Sequence, residues 1–459
     1  MCCMKSYAVE SGLAKSFGAE KSAMENVKQI IVIGGGAAGL AAAIAAAWKA
    51  RNEGTHVHVR IFESDDRVGR SILVTGNGRC NFTNAQIDVE KYNNGAFVGE
   101  ALSALEEVSP WQLGAGEVGE DAGVGAVANA DVDAGVGSGE VGEDAGIDAA
   151  AKNSVQAFFQ TVGMAWRQEG EGRMYPATGK ASTVLNLLRR AARELGVEEC
   201  CEHEVLTLEP PRESGGVFTL RMKDGSFERA HKVILACGGN VISNMLPEGL
   251  EFTQQRQALG PLATNTEHIR ALDNIRVRCN VALERDGKIV ASEHGELLFR
   301  KYGVSGIAVF NLSRLAHSGD MLVVDFLPNC NDAFALLESR ANKLNELFQR
   351  EPNAEELLDG LVLPLVAEAI IKRADGTSLD TLSKFLKRFT LQVQDIGDAK
   401  QCQVHQGGIK CEELNSHTME THKYPGLFIA GEALDVDGPC GGYNLHWAWA
   451  SGLLAGINV

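Results

Sequence analysis

Gly34, Gly36 and Gly39 stand in the spacing Gly-x-Gly-x-x-Gly directly behind the apolar run VKQIIVIG, and Glu63 comes 24 residues after the last of them. Glycines at this spacing let the backbone come close to a pyrophosphate, and the helix behind them turns its N-terminal N–H groups toward the negative charge. A carboxylate at Glu63 ends the next strand-like run, HVHVRIFE at 56–63, where it can accept hydrogen bonds from ribose hydroxyls. The triplet alone is common. With a strand before it, a helix after it and an acid in that place, it predicts dinucleotide binding.

Two further segments bear on which dinucleotide. In DDRVGRSILVTGNGRCNFTN, 65–84, Arg67, Arg70 and Arg79 alternate with Gly69, Gly76 and Gly78 and with small hydroxyl residues. Such a loop can cover a phosphate or a flavin ring with backbone and guanidinium donors. Near the C-terminus, PGLFIAGEALDVDG reads as strand, turn and acids, and CGGYNLHWAWASG opens a helix. A helix N-terminus there would offer partial positive charge to the pyrimidine edge of an isoalloxazine, where charge collects on reduction. The two parts together point to FAD.

These residues need a scaffold, and the hydrophobic pattern supplies one. VKQIIVIG and HKVILACGG are continuously apolar, as strands covered on both faces are, whereas HEVLTLE and GVFTLRM fit an antiparallel layer. The alanine-rich stretch after Gly39 is helical. Strand-like runs VRCNVALE, GKIVASE, GELLF and DMLVVDFL fill 275–326, and 332–390 reads as helical. The predicted fold class is therefore α/β: a Rossmann-like domain from 28–250 and 401–459, built from both chain ends, with an inserted β-rich domain at 251–331 and a small helical one at 332–400.

At 459 residues, two or three domains are expected, and an apolar fraction of 45% is enough to give each a core. The formal charge of −17 disfavours a nucleic-acid surface, but nine of the acids and no base lie in 113–151, which leaves −8 elsewhere. That stretch repeats GEVGEDAG at 116–123 and 139–146 and carries no aromatic residue, so it is expected to be a disordered insertion. Eleven cysteines include no Cys-x-x-Cys, which argues against structural zinc and a dithiol reductase. Residues 1–27 read as an extension without the apolar core of a secretory signal, so a cytoplasmic location is expected, with no membrane and no metal.

GRCNFTN, GRMYPATGKAS at 172–182, GELLFRKYGVSGIAVFNLSR at 295–314 and LDVDGPCGGYNLHWAWASG together resemble the BaiN-type flavoproteins, a family also described as aminoacetone oxidases. The likeness spans 28–456 apart from the acidic insertion. It implies three domains, and FAD contacts at Gly34, Gly36, Ala37, Gly39, Glu63, Arg70, Thr75, Gly76, Arg79, Cys80 and Asn81. It implies others at Val205, Ala236, Gly238, Gly431, Asp435, Gly442, Tyr443 and Asn444.

Two segments depart from the family's usual reading. Phe299–Ile307 runs Phe-Arg-Lys-Tyr-Gly-Val-Ser-Gly-Ile, and Val404–Ile409 runs Val-His-Gln-Gly-Gly-Ile. They make Arg300, Lys301 and His405 the candidate catalytic residues, the cations for an anionic substrate or nicotinamide phosphates and the imidazole as a proton relay. No second strand, Gly-x-Gly-x-x-Gly turn and helix unit is read in the sequence, so no dedicated nicotinamide domain is expected and NAD(P)H would dock transiently. The expected activity is reduction of an enone or similar electron-poor carbon in a small molecule, with hydride from NAD(P)H through flavin N5. An oxygen-using amine oxidase and a non-enzymatic flavin-binding interaction protein are the alternatives, and a transfer-RNA-modifying enzyme is disfavoured by the charge.

Overall fold

The computed structural model describes residues 27–111, 151–213, 215–240, 245–374 and 378–459. The expected extension and acidic insertion lie, but for Val27 and Ala151, outside the described residues. The described chain gathers into two compact units. The first holds the chain up to Thr253 together with Gly407–Val436 and Gly441–Val459; the second holds Gln254–Gln406 and Asp437–Cys440.

The first unit is a Rossmann-type α/β structure around a five-stranded parallel sheet. Its strands run in the order Leu427–Ile429, Lys232–Leu235, Lys28–Ile33, Val57–Phe62, Glu198–Cys200. Ile31 pairs with Val233 on one side and Arg60 on the other, which places the first strand at the centre. Its last four residues are buried, as its unbroken apolar run requires. An antiparallel layer of Val205–Glu209, Phe218–Met222 and Phe227–Ala230 accompanies it, and Thr83–Asn84 pairs with Arg173–Pro176.

Two helices pack face to face against this sheet, Ala37–Glu53 and Tyr443–Asn458. Neither has a strongly one-sided apolar stripe, because both are buried nearly all round. Small residues let them touch. A Cβ at Gly452 would collide with the Ala38 carbonyl, and one at Gly456 would stand 2.7 Å from the Ala45 Cβ.

The second unit is a closed six-stranded barrel with helices on the same core. Around it run Leu262–Thr264, Gly303–Ser305, Lys288–Arg300, Arg276–Arg285, Met321–Asp325 and Phe389–Ile396, which returns to the first. Val281, Leu283, Leu322, Val324, Phe389 and Leu391 fill the core, joined by Leu337, Ile370, Leu382 and Leu386 from the helices. Two expectations from the pattern are corrected here. GKIVASE and GELLF form one long strand, and FTLQVQDI, which begins inside the stretch expected to be helical, is the strand that closes the barrel.

The close helix contact gives a prediction. Gly452→Ala should destabilise the holoprotein by about 1–3 kcal/mol through overpacking. Gly99→Ala, in the interior of helix Gly95–Val108, where a Cβ would meet nothing closer than Val89 at 3.8 Å, should stabilise by roughly 0.5–1 kcal/mol. Urea denaturation of both variants measures the two signs.

Candidate FAD site and its positioning residues

The parallel strands of the first unit run in one direction, and the glycine turn and Glu63 follow the C-terminal ends of two neighbouring strands. Gly34 succeeds the central strand with φ of +100°, and its N–H donates to the Phe62 carbonyl at 2.8 Å. A Cβ at Gly39 would overlap the Gly34 carbonyl, so the turn can be this tight only with glycine there. A Cβ at Gly36 would crowd the Ser71 hydroxyl at 3.3 Å, so the bare glycine leaves the backbone there close to that side chain. The helix of Ala37 has no side-chain cap, and its first internal bond is Leu40 N–H to the Gly36 carbonyl at 3.0 Å.

Glu63 lies at the end of the neighbouring strand. Its carboxylate accepts from Gly35 N–H at 2.9 Å, Asp65 N–H at 2.9 Å and the Ser64 hydroxyl at 3.2 Å. Those bonds fix the acid beside the glycine turn. A tight glycine turn without side chains, an uncapped helix end and an oriented carboxylate fit the pyrophosphate and ribose of FAD.

The 65–84 loop is shaped by left-handed residues. Gly76 has φ of +54°, Cys80 has +57°, and the Thr75 hydroxyl donates to the Ile72 carbonyl at 2.7 Å. Burial pushes the Cys80 thiol up to about 12, so it is a packed thiol and not a nucleophile. Asn81 is buried and accepts from Met174 N–H at 3.1 Å. Arg70 is exposed, 3.5 Å from Asp65, whereas Arg79 is bound to Glu169 and lies over the Tyr175 ring at 4.1 Å.

The remaining candidates come from the other strands and the C-terminal helix. Val205 is buried in the antiparallel layer. Ala236 continues the sheet, its N–H donating to the Ile33 carbonyl at 2.8 Å, and Gly238 comes two residues later with φ of +72°. Gly431 is held from the helix, its N–H donating to Ser451 Oγ at 2.9 Å. The Asp435 carboxylate accepts from Asn93 Nδ2 at 2.8 Å. Gly442, with φ of +98°, precedes an uncapped helix that begins with Tyr443 and Asn444, and a Cβ there would run into the Thr83 carbonyl.

Arg300, Lys301 and His405 belong to the second unit. Arg300 ends the long barrel strand and donates to Asn274 Oδ1 at 2.6 Å, Lys301 is exposed in the next turn, and His405 is half-buried in strand Val404–Ile409. No group of three metal-ligating side chains occurs among the described residues, and no described helix is long and apolar enough to cross a membrane.

Sequence reasoning misses two further residues. Glu432 places a carboxylate oxygen 3.9 Å from a Cβ position at Gly238. Its place in AGEALD, right behind a strand, is the signal that could find it. His446, on the C-terminal helix, is buried with Nδ1 at 2.8 Å from the Thr83 hydroxyl. The pair is 363 residues apart in sequence, and no local pattern announces it.

With this geometry in place, the comparisons are specific. The family described as HI0933-like protein Rossmann domain matches residues 28–115 and 145–458, and the chain belongs to it. The chain is 30% identical over 463 residues to 3-dehydro-bile acid delta(4,6)-reductase of Clostridium scindens, covering 94% of this chain and 98% of that protein. It is 26% identical over 443 residues to ribosomal RNA dihydrouridine synthase of Escherichia coli, covering 92% and 95%. Among solved structures, an open conformation of flavocytochrome c3 fumarate reductase matches with a TM-score of 0.41 at 15% identity, over 99% of this chain and 82% of that one. The BaiN-type likeness read from the motifs therefore holds. The protein is an FAD-dependent oxidoreductase.

Burial lowers the His446 imidazole to about 4 from the ordinary 6.5. Because the folded value is depressed, the stability contribution is complete above 6.5 and is lost as pH falls toward 4, about 3 kcal/mol in all. His446→Gln, neutral at every pH, should lose that part of the slope. Urea titrations of wild type and variant at pH 7 and pH 4.5 measure the difference.

Proposed function

We propose that the protein reduces a carbon–carbon double bond conjugated to a carbonyl, in a small hydrophobic acid, with NAD(P)H as electron donor. The observation that carries this reading is the near full-length similarity to the delta(4,6)-reductase. FAD, when bound, supplies hydride transfer through its N5 between the nicotinamide and the substrate carbon.

The chain's own residues then do three things. The Gly34–Gly39 turn and the Ala37 helix end hold the pyrophosphate, and Glu63 holds the ribose. Arg70, Thr75, Gly76, Arg79, Cys80 and Asn81 line the loop beside it, with Val205, Ala236, Gly238, Gly431, Asp435, Gly442, Tyr443 and Asn444 completing the contact set. Glu432 joins them, on the strength of its place beside Gly238. Arg300 and Lys301 bind the anionic group of the substrate or the nicotinamide phosphates, and His405 relays a proton. A cytoplasmic location is part of the same proposal, supported by free thiols at all nine cysteines among the described residues.

A second reading comes from the other relative. A dihydrouridine synthase also saturates a double bond conjugated to a carbonyl, so the same hydride chemistry would serve a uridine in ribosomal RNA. The lower identity and the chain's net charge of −17 favour the small molecule.

Anaerobic stopped-flow absorbance of the yellow holoprotein decides among these. NADH or NADPH should bleach the flavin, and a conjugated 3-keto steroid acid should restore the colour without hydrogen peroxide. Restoration by a ribosomal RNA transcript alone, with dihydrouridine formed, would replace the substrate class. Oxygen uptake with aminoacetone and indifference to NAD(P)H would sink the reductase reading.

The catalytic assignments are tested separately. His405→Ala should lower kcat by on the order of 100-fold as general acid–base help is lost. Arg300→Ala and Lys301→Ala should each raise KM for the anionic substrate by about tenfold, with kcat nearly unchanged. Steady-state kinetics with NAD(P)H saturating gives both numbers.

A further inference from the structure

Asn84 ends the segment GRCNFTN, and its buried side-chain amide borders two of the other segments that carry the family likeness. Its Nδ2 donates to the Glu171 carbonyl at 3.0 Å and to the Gly441 carbonyl at 2.9 Å, while its Oδ1 accepts from Gln86 N–H at 3.0 Å. A Cβ at Gly172 would come within 2.5 Å of that oxygen, so a glycine is what admits the amide there. Asn84, Glu171, Gly172 and Gly441 all lie in the first unit.

The base of this side chain is rigid. Phe82 N–H donates to the Met174 carbonyl at 3.0 Å and Ala85 N–H to the Gly172 carbonyl at 2.7 Å, which pins the backbone on both sides of Asn84. Phe82, Thr83 and Asn84 then meet the C-terminal helix in descending order. The Phe82 carbonyl accepts from Trp449 Nε1 at 3.0 Å, the Thr83 hydroxyl lies 2.8 Å from His446 Nδ1, and Asn84 takes Gly441. The first two hold the body of the helix, as do Gly452 and Gly456 against helix Ala37–Glu53. Asn84 alone of the three acts on the turn before it.

That turn is made of two glycines. Gly441 and Gly442 have φ of +116° and +98°, and a peptide group between two glycines has both of its orientations open, because no Cβ forbids the flip. A bond to the Gly441 carbonyl selects one of them. The peptide is trans, so its C=O and N–H point to opposite sides, and holding the oxygen on Asn84 turns Gly442 N–H away from that side chain. Helix Tyr443–Asn458 follows without a side-chain cap, and Gly442 N–H stands at its head.

We propose that Asn84 is a positioning residue for the flavin: by holding the Gly441 carbonyl it fixes the Gly441–Gly442 peptide so that an N–H, and not an oxygen, is offered to the pyrimidine edge of the isoalloxazine. The inference rests on the reading that this helix end faces that edge. Reduction gathers negative charge there, so a donor in that place favours the reduced flavin and a carbonyl oxygen opposes it. Asn84 acts through the peptide, and the two redox states of the cofactor feel it differently.

Asn84→Leu keeps the size of the side chain and removes its bonds. Asn84→Ser, whose hydroxyl is too short to span the two carbonyls, carries the test if the leucine variant does not fold. Tyr92→Phe is the control, since the Tyr92 hydroxyl donates to the Tyr443 carbonyl at 2.8 Å in the first turn of the same helix without holding the Gly441 peptide. Two readouts on the full chain are informative: the carbonyl ¹³C resonance of Gly441 in the apoprotein, and the Kd of oxidised and of reduced FAD. In the Asn84 variants the resonance should move upfield as its hydrogen bond is lost. Reduced FAD should lose about tenfold to 100-fold more affinity than oxidised FAD, the range for a hydrogen bond to a charged group. Each tenfold lowers the potential of a two-electron couple by about 30 mV. Tyr92→Phe should leave both the resonance and the potential unchanged.

A side chain that merely supports the fold weakens both redox states alike, so equal losses of oxidised and reduced FAD, or a Gly441 resonance that does not move, would overturn the proposal. Failure of the wild type to take FAD would instead overturn the functional reading. The apoprotein resonance would still decide whether Asn84 holds the peptide.

Discussion

A phosphate held by backbone N–H groups requires a helix end brought against a strand end with nothing between them, and most of the first unit depends on that closeness. The Gly34 carbonyl and Gly39 occupy the same small space, which leaves no room for a side chain. The helix must then lie flat on the sheet, and it does so by presenting alanine to its neighbours. Tyr443–Asn458 meets that alanine face with Gly452 and Gly456, so the C-terminal helix reaches the sheet edge only because the first helix carries almost no side chain toward it. Glu63 completes the arrangement by binding Gly35 N–H. The chain ends are joined by a constraint on volume before any cofactor chemistry enters.

Much of this is legible in the sequence because it is local. A strand, a glycine turn, a helix and an acid one strand later lie within about 36 residues, and each constrains the backbone at its own position. The closing strand of the barrel is not legible, for the opposite reason. Phe389–Ile396 comes directly after the helix Leu379–Lys387, and its alternating residues, Phe389, Leu391 and Val393, become a strand face only when Met321–Asp325 and Leu262–Thr264 lie beside them. GKIVASE and GELLF read as two runs because Gly295 interrupts them. In the structure that glycine, with φ near +159°, is extended backbone and the strand runs through it.

The candidate site divides in the same way. Glycines with positive φ and the uncapped helix starts are visible as residue types at a spacing. Polar partnerships are not, since Thr83 with His446, or Arg79 with Glu169 and Tyr175, depend on which loops meet. Arg79 shows what is lost by reading residue type alone. In sequence it is a cation in a phosphate-like loop, and in the fold much of its bonding capacity is spent on the neighbouring strand pair, where it shapes the loop.

Asp435 and Asp437 give the clearest case of position deciding role. They are separated by one residue, yet they serve different partners. Asp435 turns to Asn93 within the first unit, and Asp437 turns to Arg314 and Gln406 within the second. Val436 between them is buried. An acid pair that reads as one motif is thus two anchors for two different bodies, with the chain switching from one to the other across a single residue. Moving either acid by one position would put a carboxylate where Val436 is buried or take it away from its partner, and an unpaired buried charge is costly. This is why the spacing Asp-Val-Asp, and not the amount of negative charge, is what the segment must keep.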